Sequence, residues 1–185
     1  MRPAVILVEG PSDQAAIETL ARRRGRDLRG ENVHVVPMGG AYSLASYLHD
    51  LHRRHGPEIG LAGLCDEGEE TAFAHGLEVA GLGTGLTREA MEQLGFFVCV
   101  TDLEDELIRS LGPDVVLSVI ESAGELGKFR VFQNQPEWRD GDLVAQLRRF
   151  LGIRSGRKTR YGRLLVEALD LERVPLPLEG VLAAV

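Results

Sequence analysis

The sequence predicts an α/β fold: a parallel four-stranded sheet of Rossmann type, flanked by helices and followed by a helical C-terminal extension. Three observations carry this. Apolar runs of strand length recur four times in the first hundred residues, each closed by glycine or an acid. Amphipathic helical patterns separate them, and strands alternating with helices make a parallel sheet. Beyond about Val115 the strand pattern stops and the spacing becomes helical.

The first strand is AVILVEG, an uninterrupted apolar run closed by Gly10. In SDQAAIETLARRRG, residues Ala16, Ile17, Leu20 and Ala21 form an apolar stripe, with Ser12 as the expected N-cap and Gly25 as the stop. VHVVPMGG is the second strand, and YSLASYLHDLHRRHG an amphipathic helix ending at Gly56-Pro57. IGLAGLCD is the third strand. TREAMEQLG is a short helix with Thr87 as its cap, and FFVCVTD is the fourth strand. EDELIRSLG follows as a helix stopped by Gly112-Pro113. DVVLSVIESAGEL, DGDLVAQLRRFLG and RKTRYGRLLVEALD read as helices, and the tail VPLPLEGVLAAV is expected to pack back on the body. This places an α/β domain at 1–113 and a helical extension at 114–185.

The chain has 185 residues, enough to bury a real core, and 26% of them are charged, the balance of a soluble globular protein. No apolar run approaches bilayer length, so no membrane association is expected. The run in MRPAVILVEGPSD ends in an acid and continues into the fold, so it reads as a strand and not a signal peptide. Cys65 and Cys99 stand far apart in apolar runs, as reduced core thiols of a cytoplasmic protein. The net charge of −7 argues against a nucleic-acid partner until its distribution is read. From Asp66 to Glu106 there are eleven acids and one base, Arg88, so this stretch carries −10 and the remainder +3. An acidic centre in a basic frame is expected where acids hold divalent cations.

Ligands of open parallel sheets bind beyond the carboxyl ends of the strands. Three of the four strands end there in an acid: Glu9, Asp66 and Asp102. Glu104 lies two residues beyond the last, and Asp13 opens the first helix, where the helix dipole favours an acid whatever the function. Converging carboxylates repel, so a positive charge should sit among them. An all-oxygen set suits Mg²⁺ or Mn²⁺, which commonly act on phosphate. Of the run EDEL, Asp105 and Glu106 read as solvated helix residues.

Glu9-Gly10 after an apolar strand, followed by further acid-bearing strand ends, resembles the TOPRIM domain of topoisomerases, bacterial primases and the overcoming lysogenization defect (OLD) nucleases. The OLD type is the closest resemblance, through EGPSD with Glu9 and Asp13, TDLEDEL after the fourth strand, and the basic SGRKTRYGRLL with Lys158. The resemblance implies that Glu9, Asp13 and Asp66 hold one ion and that Asp66, Asp102 and Glu104 hold a second. It gives catalytic roles to Glu9 and Lys158, the lysine neutralising charge on the transition state. One departure stands out: where TOPRIM domains carry D-x-D, this chain reads DEGEE, with Gly68 in place of the second aspartate. Glu69 or Glu70 would have to reach in, or Asp102 and Glu104 suffice. OLD nucleases carry an ATPase on the same chain, whereas this sequence has no G-x-x-x-x-G-K-[ST] loop, so any ATPase is expected to be a separate partner.

The stretch Arg148–Arg163 has seven bases and no acid: Arg148, Arg149, Arg154, Arg157, Lys158, Arg160 and Arg163. It suits contact with a phosphate backbone, against the plainer reading of a solvated helix pair. The second basic cluster, Arg22 to Arg29, fits helix-dipole pairing better than DNA. His49, His52 and His55 drift around one helix and read as exposed histidines. GLGTG at 81–85 does not match a dinucleotide fingerprint, and Ser12 and Ser43 have no evident His-Asp pairing. Trp138 reads as an anchor between loop and core in preference to a base-stacking platform.

The expected function is Mg²⁺- or Mn²⁺-dependent phosphodiester hydrolysis, an endonuclease that nicks or cleaves DNA with one or two ions. Two alternatives stand beside it: a TOPRIM-like subunit that binds nucleic acid but cleaves poorly because of Gly68, and a Rossmann-like Mg²⁺ domain for a phosphorylated small molecule. A topoisomerase is disfavoured because no partner domain with a catalytic tyrosine is evident, and a primase because no zinc-binding module is present. An oligomer is compatible with everything above.

Overall fold

Strands β1 (Ala4–Val8), β2 (Val33–Pro37), β3 (Gly60–Asp66) and β4 (Phe96–Cys99) form one all-parallel sheet in the order β2-β1-β3-β4. The computed structural model describes residues 2–153 and 155–185, apart from the side chain of Ser155. Helices α1 (Pro11–Arg23), α2 (Leu44–His55), α3 (Glu70–Val79), α4 (Arg88–Gln93) and α5 (Leu103–Leu111) connect and follow the strands. Helices α6 (Pro113–Ser122), α7 (Leu126–Gln133), α8 (Leu143–Gly152), α9 (Ser155–Ala168) and α10 (Leu176–Ala183) complete the chain. The expected α/β class and parallel sheet are as observed.

Side chains of a strand alternate between sheet faces, and β1 supplies both cores. Ala4, Ile6 and Val8 belong to a core with Ile17, Leu20, Leu107, Leu147, Leu165 and Val181, built by α1, α5 and the C-terminal helices. Val5 and Leu7 face a second core with Leu44, Leu48, Phe73, Leu77 and Phe96. All five residues of β1 are buried, as its unbroken apolar run requires. The C-terminal α10 packs on β3 and β4, so the tail returns to the sheet as expected.

Four local features differ from the sequence reading. Helix α3 was not expected; it buries little beyond Phe73, Gly76 and Leu77, which is too short an apolar stripe to announce itself. The run DVVLSVIESAGEL is not one helix: α6 ends at Ala123, Gly124 turns at φ +72°, and α7 starts afresh at Leu126. The N-cap of α1 is Gly10 and not Ser12, because Pro11 takes the first helical position, where its fixed φ is favourable, and the Asp13 carboxylate accepts the Gly10 N–H at 2.9 Å. Glu106 is buried and accepts the Val100 N–H at 2.8 Å, closing the turn after β4.

Two polar clamps bind the extension to the sheet domain and to itself. Arg23 donates to the carbonyls of Val166 and Leu169, Arg24 to that of Leu171, and Arg26 to those of Leu182 and Val185. These arginines cover carbonyls at and just beyond the C-terminal ends of α9 and α10, a structural use of the cluster Arg22 to Arg29. Within the extension, the buried Glu125 accepts from Lys128 at 3.0 Å, Arg157 at 3.3 Å and the Tyr161 hydroxyl at 3.0 Å. Burial alone would raise the Glu125 pKa, but these donors outweigh it and hold the carboxyl down to about 2.

Helix α9 lies against α1 so closely that only glycine fits at the crossing. A Cβ on the buried Gly162 would stand 2.8 Å from the Ser12 carbonyl oxygen, one residue before Asp13. In an exposed helix, Gly→Ala stabilises by about 1 kcal/mol. Here Gly162→Ala is expected to destabilise instead, by roughly 1–2 kcal/mol, because backbone must move to admit the methyl. Urea unfolding of the two proteins gives the sign directly.

Candidate active site

The chain leaves β1 for the edge strand β2 and then crosses to β3 on the other side of β1, so the sheet has its switch point between β1 and β3. A crevice opens at such a point, beyond the strands' carboxyl ends. Glu9 follows β1 and Asp66 ends β3, and the Asp66 N–H donates to Glu9 Oε1 at 2.7 Å. Asp66 Oδ1 in turn accepts the Leu103 N–H at 3.2 Å, which ties the start of α5 to the same edge. The acids from three distant segments are therefore stitched together by backbone donors.

A cavity of about 300 Å³ opens here, lined by Glu9, Asp13, Asp66, Lys158 and the turn Gly39-Gly40. A second, of about 400 Å³, is lined by Asp102, Glu104, Trp138, Arg148, Arg149 and, again, Lys158. Lys158, on α9, stands between the two. Its ammonium lies 3.3 Å from Glu104 Oε2. Asp102 caps α5 by accepting the Asp105 N–H at 2.8 Å, and its other oxygen accepts from Arg148 Nε at 2.7 Å. A larger cavity of about 430 Å³ lies between α1 and β2, away from these carboxylates, and its Arg26 is already held by Glu31 and the C-terminal carbonyls.

The electrostatics are those of an undercompensated anionic site. Burial raises the Asp66 pKa, and the charges of Glu9 and Asp13 add to it, pushing it up to about 8 against the pull of Lys158. Burial also raises Glu9, Asp13 and Glu104 above the usual carboxylate range, each opposed by Lys158. Burial would lower Lys158, but Glu104, Asp66 and Asp13 outweigh it and hold the ammonium above its ordinary value. One lysine thus serves four acids.

Residues 3–57 match the family model of the overcoming lysogenization defect protein-like TOPRIM domain. The C-terminal region of the Xanthomonas campestris pv. campestris OLD protein superposes with a TM-score of 0.70 at 23% identity, covering 100% of this chain and 94% of that one. The C-terminal region of the Burkholderia pseudomallei OLD protein gives 0.69 at 20% identity, covering 98% and 95%. The family match spans β1, α1, β2 and α2, under a third of the chain. At these identities the likeness of the whole chain is one of fold. No curated protein sequence matches.

The donor chemistry of this sheet edge fits a hard dication, since every acid there offers oxygen and the charges lack balance. Among the described residues, no three His, Cys, Asp or Glu side chains are already gathered as a cage for an ion. Lys158 and Arg148 hold Glu104 and Asp102 instead, so cationic side chains stand in part where positive charge is required. His49, His52 and His55 form no such group either. The loop that departs from D-x-D is also accounted for. Arg88 engages both Glu67 and Glu70, and Glu67 accepts the Thr101 N–H at 3.2 Å. Of the three glutamates, Glu69 is the one whose charge is felt at Glu9.

The basic run is divided in its use. Arg157 is turned inward, donating to Glu125 and stacked over the Phe150 ring at 4.2 Å. Arg160 donates to the Ala123 carbonyl and Arg163 pairs with Glu167. Arg148 and Lys158 reach the acids, while Arg149 has neither ion pair nor side-chain hydrogen bond among the described residues. Arg154 lies outside the described residues. Cys65 and Cys99 are free, buried thiols. No described helix is long and apolar enough to cross a membrane.

A carboxylate whose folded pKa lies above its unfolded value contributes stability at low pH that is lost as pH rises through the folded value. For Asp66 that window runs from about 4 to about 8. Without metal at pH 8.5, Asp66→Asn is therefore expected to be more stable than the parent by roughly 1–3 kcal/mol, since the amide keeps an acceptor for Leu103 and drops the charge. The gap should close at pH 4 and shrink when Mg²⁺ is added, both readable by chemical denaturation.

Proposed function

We propose that this chain is an OLD-like TOPRIM domain that works as a Mg²⁺- or Mn²⁺-dependent nuclease, nicking or cleaving DNA. The observation that carries the reading is the meeting of Glu9, Asp13, Asp66 and Lys158 in one cavity at the β1/β3 switch point. Glu9, Asp13 and Asp66 would hold one ion, and Asp66, Asp102 and Glu104 a second. When bound, the ion supplies Lewis-acid polarisation of the phosphoryl group and activation of water.

The chain's own residues divide the remaining work. Lys158 is a preformed cation that neutralises charge gathering on the phosphoryl oxygens. Glu9 Oε1 accepts the Asp66 N–H, which fixes the orientation of the carboxylate that would hold the ion. The helical extension from 114 to 185 brings Lys158, Arg148 and Arg149 to the sheet edge, where they receive the strand's phosphates.

The test is incubation of the pure protein with supercoiled plasmid and Mn²⁺ or Mg²⁺. Nicking is expected, falling at least ~100-fold in Glu9→Ala, Asp66→Ala and Lys158→Ala. Metal-dependent retention of plasmid without nicking would instead mark a cleavage-impaired binding subunit. Neither retention nor nicking would leave the domain for a phosphorylated small molecule. A Cβ at Gly68 meets nothing within 4 Å, so the backbone there has room for the first atom of an aspartate side chain. It restores the D-x-D spacing and is expected to lower the Mg²⁺ concentration needed for half-maximal nicking several-fold.

A further inference from the structure

The cavity on the far side of Lys158 from Glu9, which Asp102 and Glu104 also line, holds an aromatic residue that the nuclease reading leaves unused. Its lining combines one large aromatic, Trp138, with Arg149, Lys158 and Arg148, beside the small residues Ala145 and Gly152. Two of the three cations are already matched: Arg148 by Asp102 at 2.7 Å and Lys158 by Glu104 at 3.3 Å. Arg149 is the one left over. A cavity of about 400 Å³ is in the range of small-ligand sites, typically ~300–1,000 Å³.

Trp138 is held as a rigid wall. Its ring packs on Phe132, with centroids 5.2 Å apart and planes tilted by 31°, and Trp138 is among the residues that line the cavity. The buried Gln146 donates to the Trp138 carbonyl at 2.6 Å and to that of Gly141 at 3.1 Å, and accepts from Gln133 at 2.6 Å. The loop carrying the tryptophan is thus fixed from below by a fully used amide.

An aromatic face beside an unmatched arginine, sharing a lysine with the carboxylate cavity, suits an unstacked base and its phosphate. We propose that this cavity binds the nucleobase of a nucleotide flanking the reacting phosphate, with Trp138 stacking on the base and Arg149 receiving the adjoining phosphate. The proposal rests on the nuclease reading. It makes the preferred substrate a strand with a single-stranded or unpaired nucleotide beside the cleavage point, because a base in a duplex stack cannot reach Trp138.

Trp138 is the single tryptophan of the chain, so its fluorescence reports on the site. The experiment titrates the intact protein, without metal, with a short single-stranded oligonucleotide and with the same strand made abasic. The intact strand is expected to quench Trp138 saturably and to bind roughly 5- to 100-fold more tightly than the abasic one. With binding read by the anisotropy of a labelled strand, Trp138→Leu, which keeps an apolar residue beside Phe132, should abolish that difference, and Trp138→Phe should keep most of it. Arg149→Ala should weaken both strands alike. Equal binding of intact and abasic strands with no quenching would overturn the base site and leave the nuclease reading standing, whereas no binding of either strand would overturn both. Quenching by a free nucleoside monophosphate at the same concentration as the strand would overturn it in favour of a mononucleotide site.

Discussion

The interaction on which the rest of the structure depends is the placing of Lys158 among carboxylates that would otherwise repel one another. Glu9, Asp13, Asp66 and Glu104 all sit where burial and mutual charge oppose ionisation, and all four are eased by the same ammonium. That ammonium is carried by α9, a helix that reaches the sheet edge from the far end of the chain. Its position follows from a steric fact one turn on: Gly162 brings α9 to the Ser12 carbonyl at a distance that no side chain would allow. The C-terminal helices that bring this cation are held to the sheet region by Arg23 at the end of α1 and by Arg26 just beyond it, which grip the ends of α9 and α10.

Seen this way, the site is an electrostatic debt carried by a well-packed scaffold. The two cores on either face of β1 supply stability, and the sheet edge draws on it. Local backbone adds to the cost. Thr101, between β4 and α5, adopts φ +67°, a region that a β-branched residue rarely occupies. Its N–H is turned to Glu67, which Arg88 also holds, so the strained turn is locked to the loop after β3. Strain and like charge therefore gather at the same edge, as expected where a site is preorganised for a ligand of opposite charge.

Much of this was legible in the sequence because it depended on period and punctuation. An unbroken apolar strand that ends in an acid states both its burial and the direction of that acid, so Glu9, Asp66 and Asp102 could be placed on one edge before any coordinates. What stayed hidden depended on partners far along the chain. Arg157 looked like the other bases of its run, yet it is consumed by Glu125, which lies 32 residues earlier. Glu106 looked like a solvated acid beside Asp105, but the turn after β4 needed an acceptor for the Val100 N–H, and Glu106 is it. Trp138 was legible as an anchor and is one; that it also lines a cavity depends on residues of α8 and α9 that lie beside it.

The same distinction bears on Gly68. Taken alone, the loss of the second acid from D-x-D reads as damage to the site. In the fold, the neighbouring acids are committed elsewhere: Glu67 and Glu70 answer Arg88, and the charge of Glu69 is felt at Glu9. The second carboxylate group at the edge, Asp102 with Glu104, is complete but held by Arg148 and Lys158. A cation entering there must compete with two side-chain cations and not with empty space. In the proposed nuclease, metal affinity would be set as much by how readily those two cations yield as by the number of acids, and a polyanionic strand that drew Arg148 and Lys158 toward its phosphates would free the oxygens as it arrived.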